Sequence, residues 1–401
     1  MIPYGKHFID EDDIAAVVDV LRQGTLTQGA RVDEFEACFA SNVEAKYAIA
    51  VSSGTAALHL ACMAADVKQG DNVITSANTF VASANCAAYV GASPQFTDID
   101  PDTLNMSVQD LSSRCRGLKH VKAIIPVHFA GVACDMPAIK AIAEQYDAWV
   151  IEDACHALGG TYDSGEKIGS CQYSDMTVFS FHPVKAIAAG EGGMITTNSE
   201  ELYQRLIQLR SHGIFYQKLL KEFKHIDADK AFVLKDEAYE NGQINPWYFE
   251  MRELGYNYRL TEIQCTLAQS QLAKLDRFIS CRKELASRYD EAFYGMANLT
   301  CVQTDQRERS GHHLYVVRID FESLGMERGE FMRQLMQKGV GTQVHYIPVP
   351  LHPYYQSRGF TLSDYPETEK YYREALSLPF YYGLSDEEQN LVVQSIQSIV
   401  A

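Results

Sequence analysis

No stretch of this 401-residue chain is apolar for long enough to span a bilayer, and no basic surplus offsets its acids, the formal net charge being -17. The first absence predicts no membrane partner. The second predicts no nucleic-acid partner, since counterion release from phosphates needs a cationic face. A phosphorylated small ligand stays possible, because one local site can reverse the global sign. The opening residues, MIPYGKHFIDEDD, turn acidic where a signal peptide begins basic and then runs apolar. The ten cysteines lie far apart without a C-x-x-C pair, and H-E-x-x-H is missing, so no metal site is expected. Dispersed thiols suit a reducing compartment, and a cytoplasmic location is the expectation. Neither G-x-G-x-x-G after the first strand nor G-x-x-x-x-G-K-[ST] occurs, which weakens nicotinamide and P-loop readings.

What is present is a rhythm. Strand-like segments at 47–51, 72–76, 95–99, 121–127, 148–153 and 176–181 alternate with helix-like ones at 56–65, 79–90, 108–115 and 136–146. Such alternation predicts βαβ units and a mainly parallel sheet between helices. Two helices, one opening after Asp10 and one at 32–43, precede it. Residues 214–254 break the pattern with charged, aromatic and polar residues and read as an inserted excursion. Gly255-Tyr256-Asn257-Tyr258-Arg259, too polar for a core strand, leads into one long helix at 261–294. The last third predicts a smaller α+β lobe: strand 314–319, helix 328–338, strand 342–347 and a closing helix at 387–400. The division expected is a large domain over 1–260 and a small one over 261–401, with residues 1–23 packing against the latter.

Ligand sites in open α/β sheets lie at the carboxyl ends of the strands, and the polar signals fall there. Ser53-Gly54-Thr55 follows the first strand and opens a helix, as either a plain N-cap or an anion cradle of free N–H groups. Asp153 ends a buried strand, as a helix cap or as a carboxylate awaiting a cationic partner. Lys185 follows the strand ending at Ser180-Phe181 and precedes the turn Gly190-Glu191-Gly192-Gly193. A lysine there is a solvated loop residue or an amine neutralised by forming an imine with an aldehyde cofactor. His182 is read as a packing histidine. Arg259 has two uses open to it, a forked bond to a phosphate or an ion pair with an acid such as Glu262.

Taken together, Ser-Gly-Thr-Ala (53–56), Glu-Asp-Ala-Cys-His (152–156), Ser-Phe-His-Pro-Val-Lys (180–185), Gly-Glu-Gly-Gly (190–193) and Gly-Tyr-Asn-Tyr-Arg (255–259) resemble the DegT/DnrJ/EryC1/StrS sugar aminotransferases. The likeness runs over nearly the whole chain. It implies a fold-type-I pyridoxal phosphate (PLP)-dependent transferase, α/β, with a large domain built on a mixed sheet and a smaller α+β C-terminal domain. By that resemblance Lys185 is similar to the Schiff-base lysine, Asp153 to the acid facing the pyridine nitrogen, and His156 to a residue near the ring oxygen. Phe80 matches a stacking aromatic. Gly54, Thr55 and Ser180 match phosphate ligands, and Asn257 a residue reaching the phosphate of the other subunit of a homodimer with a shared active site. Tyr4, Gly24, Thr25, Leu26, Thr27, Arg259, His345 and Tyr346 lie in segments resembling nucleotide-sugar contacts.

Within the family the likeness is greatest to members that aminate a UDP-linked 4-keto-6-deoxy sugar in pseudaminic-acid synthesis, on GTLTQG (24–29), NTFVASAN (78–85), PVHFAG (126–131) and VHYIPV (344–349). The implied partners are L-glutamate and that keto-sugar. Residues 186–189 lack the Thr-Thr that relatives often carry, and 215–245 is longer than usual. Relatives that replace the lysine with histidine run a dehydration instead, so Lys185 favours transamination over a PLP-dependent dehydratase. A perosamine-type aminotransferase and an idle sugar-nucleotide sensor are the remaining readings.

Overall fold

The computed structural model of the protein describes residues 1–222 and 231–400. Two helices, α1 (Glu11–Gln23) and α2 (Ala30–Val43), precede the first strand. Asp10 starts α1 through a reciprocal capping box with Asp13, and three acids sit in its first turn, where the helix dipole favours them. Strands β1 (Tyr47–Val51), β2 (Asn72–Ser76), β3 (Ser93–Thr97), β4 (Val121–Ile125), β5 (Trp149–Asp153), β6 (Met176–Ser180) and β7 (Gly193–Thr197) form one sheet in the order β1-β7-β6-β5-β4-β2-β3. Only β7 runs against its neighbours. The helical connections α3 (Gly54–Ala64), α4 (Ala82–Tyr89), α5 (Val108–Gly117) and α6 (Met136–Gln145) allow the remaining strands to lie parallel, and α7 (Glu200–Arg210) follows β7.

Both faces of the sheet are covered, so successive strand residues enter different cores. Ile124, Phe179 and Met194 pack with Phe35, Phe39 and Phe181 on one side. Their neighbours Ile125, Val178 and Ile195 pack with Leu58, Leu60 and Leu206 on the other. Each such side chain contributes roughly 1.5–3 kcal/mol. Strand β7, GMITT, has no place in the predicted rhythm because its leading glycines read as a turn. Gly193 is required there: a Cβ would stand 2.5 Å from the Ser53 carbonyl oxygen.

A second, three-stranded antiparallel sheet of Leu299–Cys301, Tyr315–Ile319 and Ala375–Leu378 carries its own core with Ile2, Leu285, Tyr289 and Val392. The helix Arg328–Gln337 and the closing helix Asp386–Val400 pack beside it. The predicted strand at 342–347 is not formed. That segment touches the sheet by a single bridge, Gln343 to Ser377, before Pro348 and Pro350 turn it away, which leaves Ala375–Leu378 as the outer strand. The long helix expected over 261–294 is two helices, Glu262–Leu272 and Leu275–Phe293. Lys274 sits at the break, with its ammonium bound to Asp10 and, at 2.8 Å, to Asp13. Helix α1 lies along Glu262–Leu272, whose Cys265, Ala268 and Leu272 belong to the core of the large sheet.

In the excursion, Ile214–Tyr216 pairs with Phe249–Met251, and the Arg252 guanidinium lies 3.8 Å over the Phe215 ring. The part of the excursion at 223–230 lies outside the described residues.

Candidate active site

Three strand ends converge on one cavity of about 440 Å³. From β1 comes an N-cap: Ser53 accepts the Ala56 N–H at 3.1 Å and starts α3. The N–H groups of Gly54 and Thr55, in the first turn, have no helical acceptor, and both residues line the cavity. Ser180, at the end of β6, lies against them; a Cβ on Gly54 would come 3.0 Å from the Ser180 Cβ. The cap thus engages the Ala56 N–H and not those of Gly54 or Thr55.

Asp153 ends β5 and is buried. The Ser83 hydroxyl donates to its Oδ2 at 2.7 Å, and the Cys155 N–H to its Oδ1 at 3.1 Å. Thr79 in turn bonds the Ser83 hydroxyl at 2.9 Å. These bonds fix the carboxylate and leave acceptor capacity facing the cavity. Its neighbour Glu152 points to the opposite face, as strand alternation requires, and is met by Tyr162, Thr177 and His128.

Lys185 stands on the loop after β6, tied by its own N–H to the His182 carbonyl at 2.8 Å. Burial pushes its ammonium below the ordinary lysine range, against the opposing pull of Cys155 and Asp153. A half-buried amine beside a fixed carboxylate can carry and release a proton. His182 is exposed at the mouth of the cavity, and the packing role read from its apolar neighbours is corrected: Phe181 points into the core while the alternation turns His182 outward.

His156 sits behind the carboxylate. Its Nδ1 accepts the Ala130 N–H at 3.3 Å, and burial, then Lys185 and His345, hold its pKa well below the usual value. A neutral ring accepting at Nδ1 carries its proton on Nε2, which donates to the Tyr346 hydroxyl at 2.9 Å. His345 bonds the Ser377 hydroxyl at 2.8 Å, and its ring lies 5.6 Å from that of Tyr4. The Phe80 ring is 54% exposed, a large apolar face available to a flat ligand.

Lys185, Asp153, His156, Gly54, Thr55, Phe80, Ser180, Tyr4, His345 and Tyr346 therefore share one cavity. Gly24, Thr25, Leu26, Thr27, Asn257 and Arg259 do not line it in the single chain. The ion-pair use of Arg259 with Glu262 is not realised. The Glu262 carboxylate accepts the N–H groups of Gly29, Arg31 and Val32 at the start of α2. The sequence reading passed over Ser83 and His313. A polar residue in Ala-rich α4 and a His-His pair before a strand are the available signals, though neither says which cavity is served.

A model of the DegT/DnrJ/EryC1/StrS aminotransferase family matches residues 7–397. The chain belongs to that family. It is 38% identical to the spore coat polysaccharide biosynthesis protein SpsC of Bacillus subtilis, over 100% of this chain and 97% of SpsC. Among solved structures it is similar to Helicobacter pylori PseC, an aminotransferase involved in pseudoaminic acid biosynthesis, with a TM-score of 0.87, 27% identity and coverage of 100% and 99% of the two chains. Spr1654 of Streptococcus pneumoniae in its PMP form matches with a TM-score of 0.87 and 29% identity, over 100% and 99% of the chains. Like those relatives, this DegT/DnrJ/EryC1/StrS aminotransferase has the fold-type-I architecture and uses PLP. Its residues fit the cofactor: a half-buried amine, a carboxylate with spare acceptor capacity, a helix N-terminus with free N–H groups and an exposed aromatic ring line one space. Among the described residues no helix is long and apolar enough to cross a membrane.

Proposed function

We propose that the protein transfers an amino group from L-glutamate to a nucleotide-linked 4-keto-6-deoxy sugar, with Lys185 as the working amine. The observation carrying this is that Lys185, Asp153, Gly54 and Thr55 line one cavity. When bound, PLP would supply an electron sink for the donor carbon. Lys185 Nζ would take the donor carbon's proton and return it, and the burial that lowers its pKa below the ordinary lysine value favours the free base. Asp153, held by Ser83 and the Cys155 N–H, would accept a hydrogen bond from the protonated ring nitrogen of the cofactor. Gly54, Thr55 and Ser180 would hold the phosphate, where the dipole of α3 favours negative charge. Phe80 would offer its exposed ring as an apolar face to the cofactor. His156, with its proton fixed on Nε2, orients Tyr346 at the rim.

For the sugar we favour UDP-2-acetamido-2,6-dideoxy-beta-L-arabino-hex-4-ulose, the pseudaminic-acid precursor. The likeness to PseC supports it. The higher identity to SpsC favours a second reading, a keto-sugar destined for a surface polysaccharide. The active unit in this reading is a homodimer in the cytoplasm. Asn257, exposed and outside the cavity of its own chain, reaches the phosphate site of the second copy. The division proposed is a large cofactor domain over 1–260 and a small one over 261–401, with the first helix of the latter, Glu262–Leu272, packing into the core of the large sheet. Mass spectrometry of products from UDP-, GDP- and dTDP-linked 4-keto sugars with glutamate tests the proposal. Formation of 2-oxoglutarate with one aminated UDP-sugar is expected. No amination of any of them would refute the function, and amination of a GDP- or dTDP-sugar alone would refute the choice of sugar.

A further inference from the structure

The side chain meeting Lys185 most directly is not among the motif residues. His313 stands on the segment before the strand Tyr315–Ile319, and its Nε2 lies 3.4 Å from Lys185 Nζ. The residue is 4% exposed, and its other nitrogen, Nδ1, has no hydrogen-bond partner among the described residues. Its ring lies 4.3 Å from that of His156, centroid to centroid. A buried polar ring with one nitrogen unpartnered is costly, so its remaining contact, to the amine, is the one the fold is arranged to keep.

The backbone around it is held from two sides. His313 N–H bonds the Ala130 carbonyl at 3.0 Å, and Gly311 N–H bonds that of Gly131 at 2.9 Å. Gly131 has φ 114°, and a Cβ there would stand 2.6 Å from the His312 nitrogen, so glycine is needed for this approach. From the other side Arg282 Nη1 donates to the His312 carbonyl at 3.1 Å and the His313 carbonyl at 3.3 Å. Arg282 is 3% exposed, and no carboxylate pairs with it among the described residues. A buried guanidinium spent on two backbone carbonyls is an expensive way to hold a loop. Burial, then the charges of Lys185 and His156, keep His313 far below the ordinary histidine pKa, so the ring is neutral.

We propose that His313 is the positioning residue of Lys185: its neutral Nε2 accepts one hydrogen of Nζ and so fixes the direction in which the amine presents its reactive side, with Arg282 holding the loop that carries the ring. This rests on the reading of Lys185 as the working amine. The other groups facing Nζ are Asp153 and Cys155 at the end of β5, His156, and His345 from the C-terminal segment.

The test is acetylation of Lys185 in full-length, PLP-free protein, followed against pH by peptide mass spectrometry, for wild type, His313→Leu and His313→Gln. Leucine removes the acceptor and leaves the ammonium half-buried, so the midpoint is expected to fall by about one pH unit, the size of one lost hydrogen bond. Glutamine supplies an oxygen acceptor and is expected to restore it. In the PLP-loaded enzyme His313→Leu is expected to lower kcat roughly 10²-fold with KM for the keto-sugar unmoved, the signature of a misaimed group. An unchanged midpoint overturns the proposal, and a raised one does so by showing that the ring carries charge. Should the leucine variant not fold, His313→Gln against the shorter His313→Asn carries the same comparison. Borohydride trapping separates the two levels. If PLP is not fixed onto Lys185 in the wild type, the proposed function fails; if it is fixed and the His313 variants leave the midpoint in place, only this inference fails.

Discussion

The Tyr346 hydroxyl lies 2.9 Å from His156 Nε2, joining two residues 190 positions apart in the chain. It ties the segment that failed to become a strand to the end of β5, and so closes the cavity over Asp153. Tyr346→Phe leaves the buried His156 N–H without an acceptor, which costs about 1–3 kcal/mol. Thermal denaturation is expected to show that loss. An unchanged melting temperature would mean that the bond adds nothing to closure.

Lys185→Ala is expected to abolish borohydride-fixed PLP and to lower turnover by at least the roughly 10²–10⁴-fold that a positioned acid–base group supplies. Folding is expected to survive, because the change removes a half-buried ammonium whose pKa is already depressed by that burial. Circular dichroism and a coupled 2-oxoglutarate assay check both halves. Turnover at the normal rate would mean another group does the proton transfer.

Ser83→Ala removes the hydroxyl that donates to Asp153 at 2.7 Å. Hydrogen bonds to charged groups contribute about 1.5–3 kcal/mol, so kcat is expected to fall roughly tenfold or more. PLP titration followed by absorbance is expected to show weaker binding as well. Equal affinity and rate would place the orientation of Asp153 in its backbone contact alone.

Asn257→Ala is expected to weaken PLP retention without moving the fold, if the cofactor site is completed by a second copy. Gel filtration of the variant beside wild type, with PLP content measured in each peak, distinguishes the two possibilities. Retention equal to wild type would remove the cross-subunit contact from the proposal.

Burial lowers His345 to about 3 and His312 to about 4. Both folded-state values lie below the unfolded value of about 6.5. The stability that each neutral ring contributes is therefore complete above pH about 6.5, and is lost as pH falls toward those folded-state values. Urea denaturation is expected to show falling stability between neutral pH and about 4, with a shallower slope in His345→Gln. An identical slope in that variant would assign the acid sensitivity to other groups.

The strand and helix rhythm of the large sheet is legible because each strand is buried on both faces and each helix carries an apolar stripe, so local pattern and tertiary environment agree. Where they diverge, pattern misleads. Residues 342–347 have strand composition, yet they meet the outer strand Ala375–Leu378 by one bridge only, because Pro348 and Pro350 turn the chain away. The continuous apolar spacing across 261–294 hides a break, because what holds Lys274 there is Asp10 and Asp13, distant in sequence.

By itself the sequence determined the chemistry available: one lysine, one strand-end carboxylate and one N-cap with spare N–H groups, each set by residues within a few positions of it. Only the tertiary structure decided which long-range partners complete them. Ser83 on Asp153, Tyr346 on His156 and His313 on Lys185 are pairings across loops and helices, selected by packing and not by any local propensity. The arginine at 282 makes the point most plainly: its role is to hold two backbone carbonyls, and a carbonyl has no letter in the sequence.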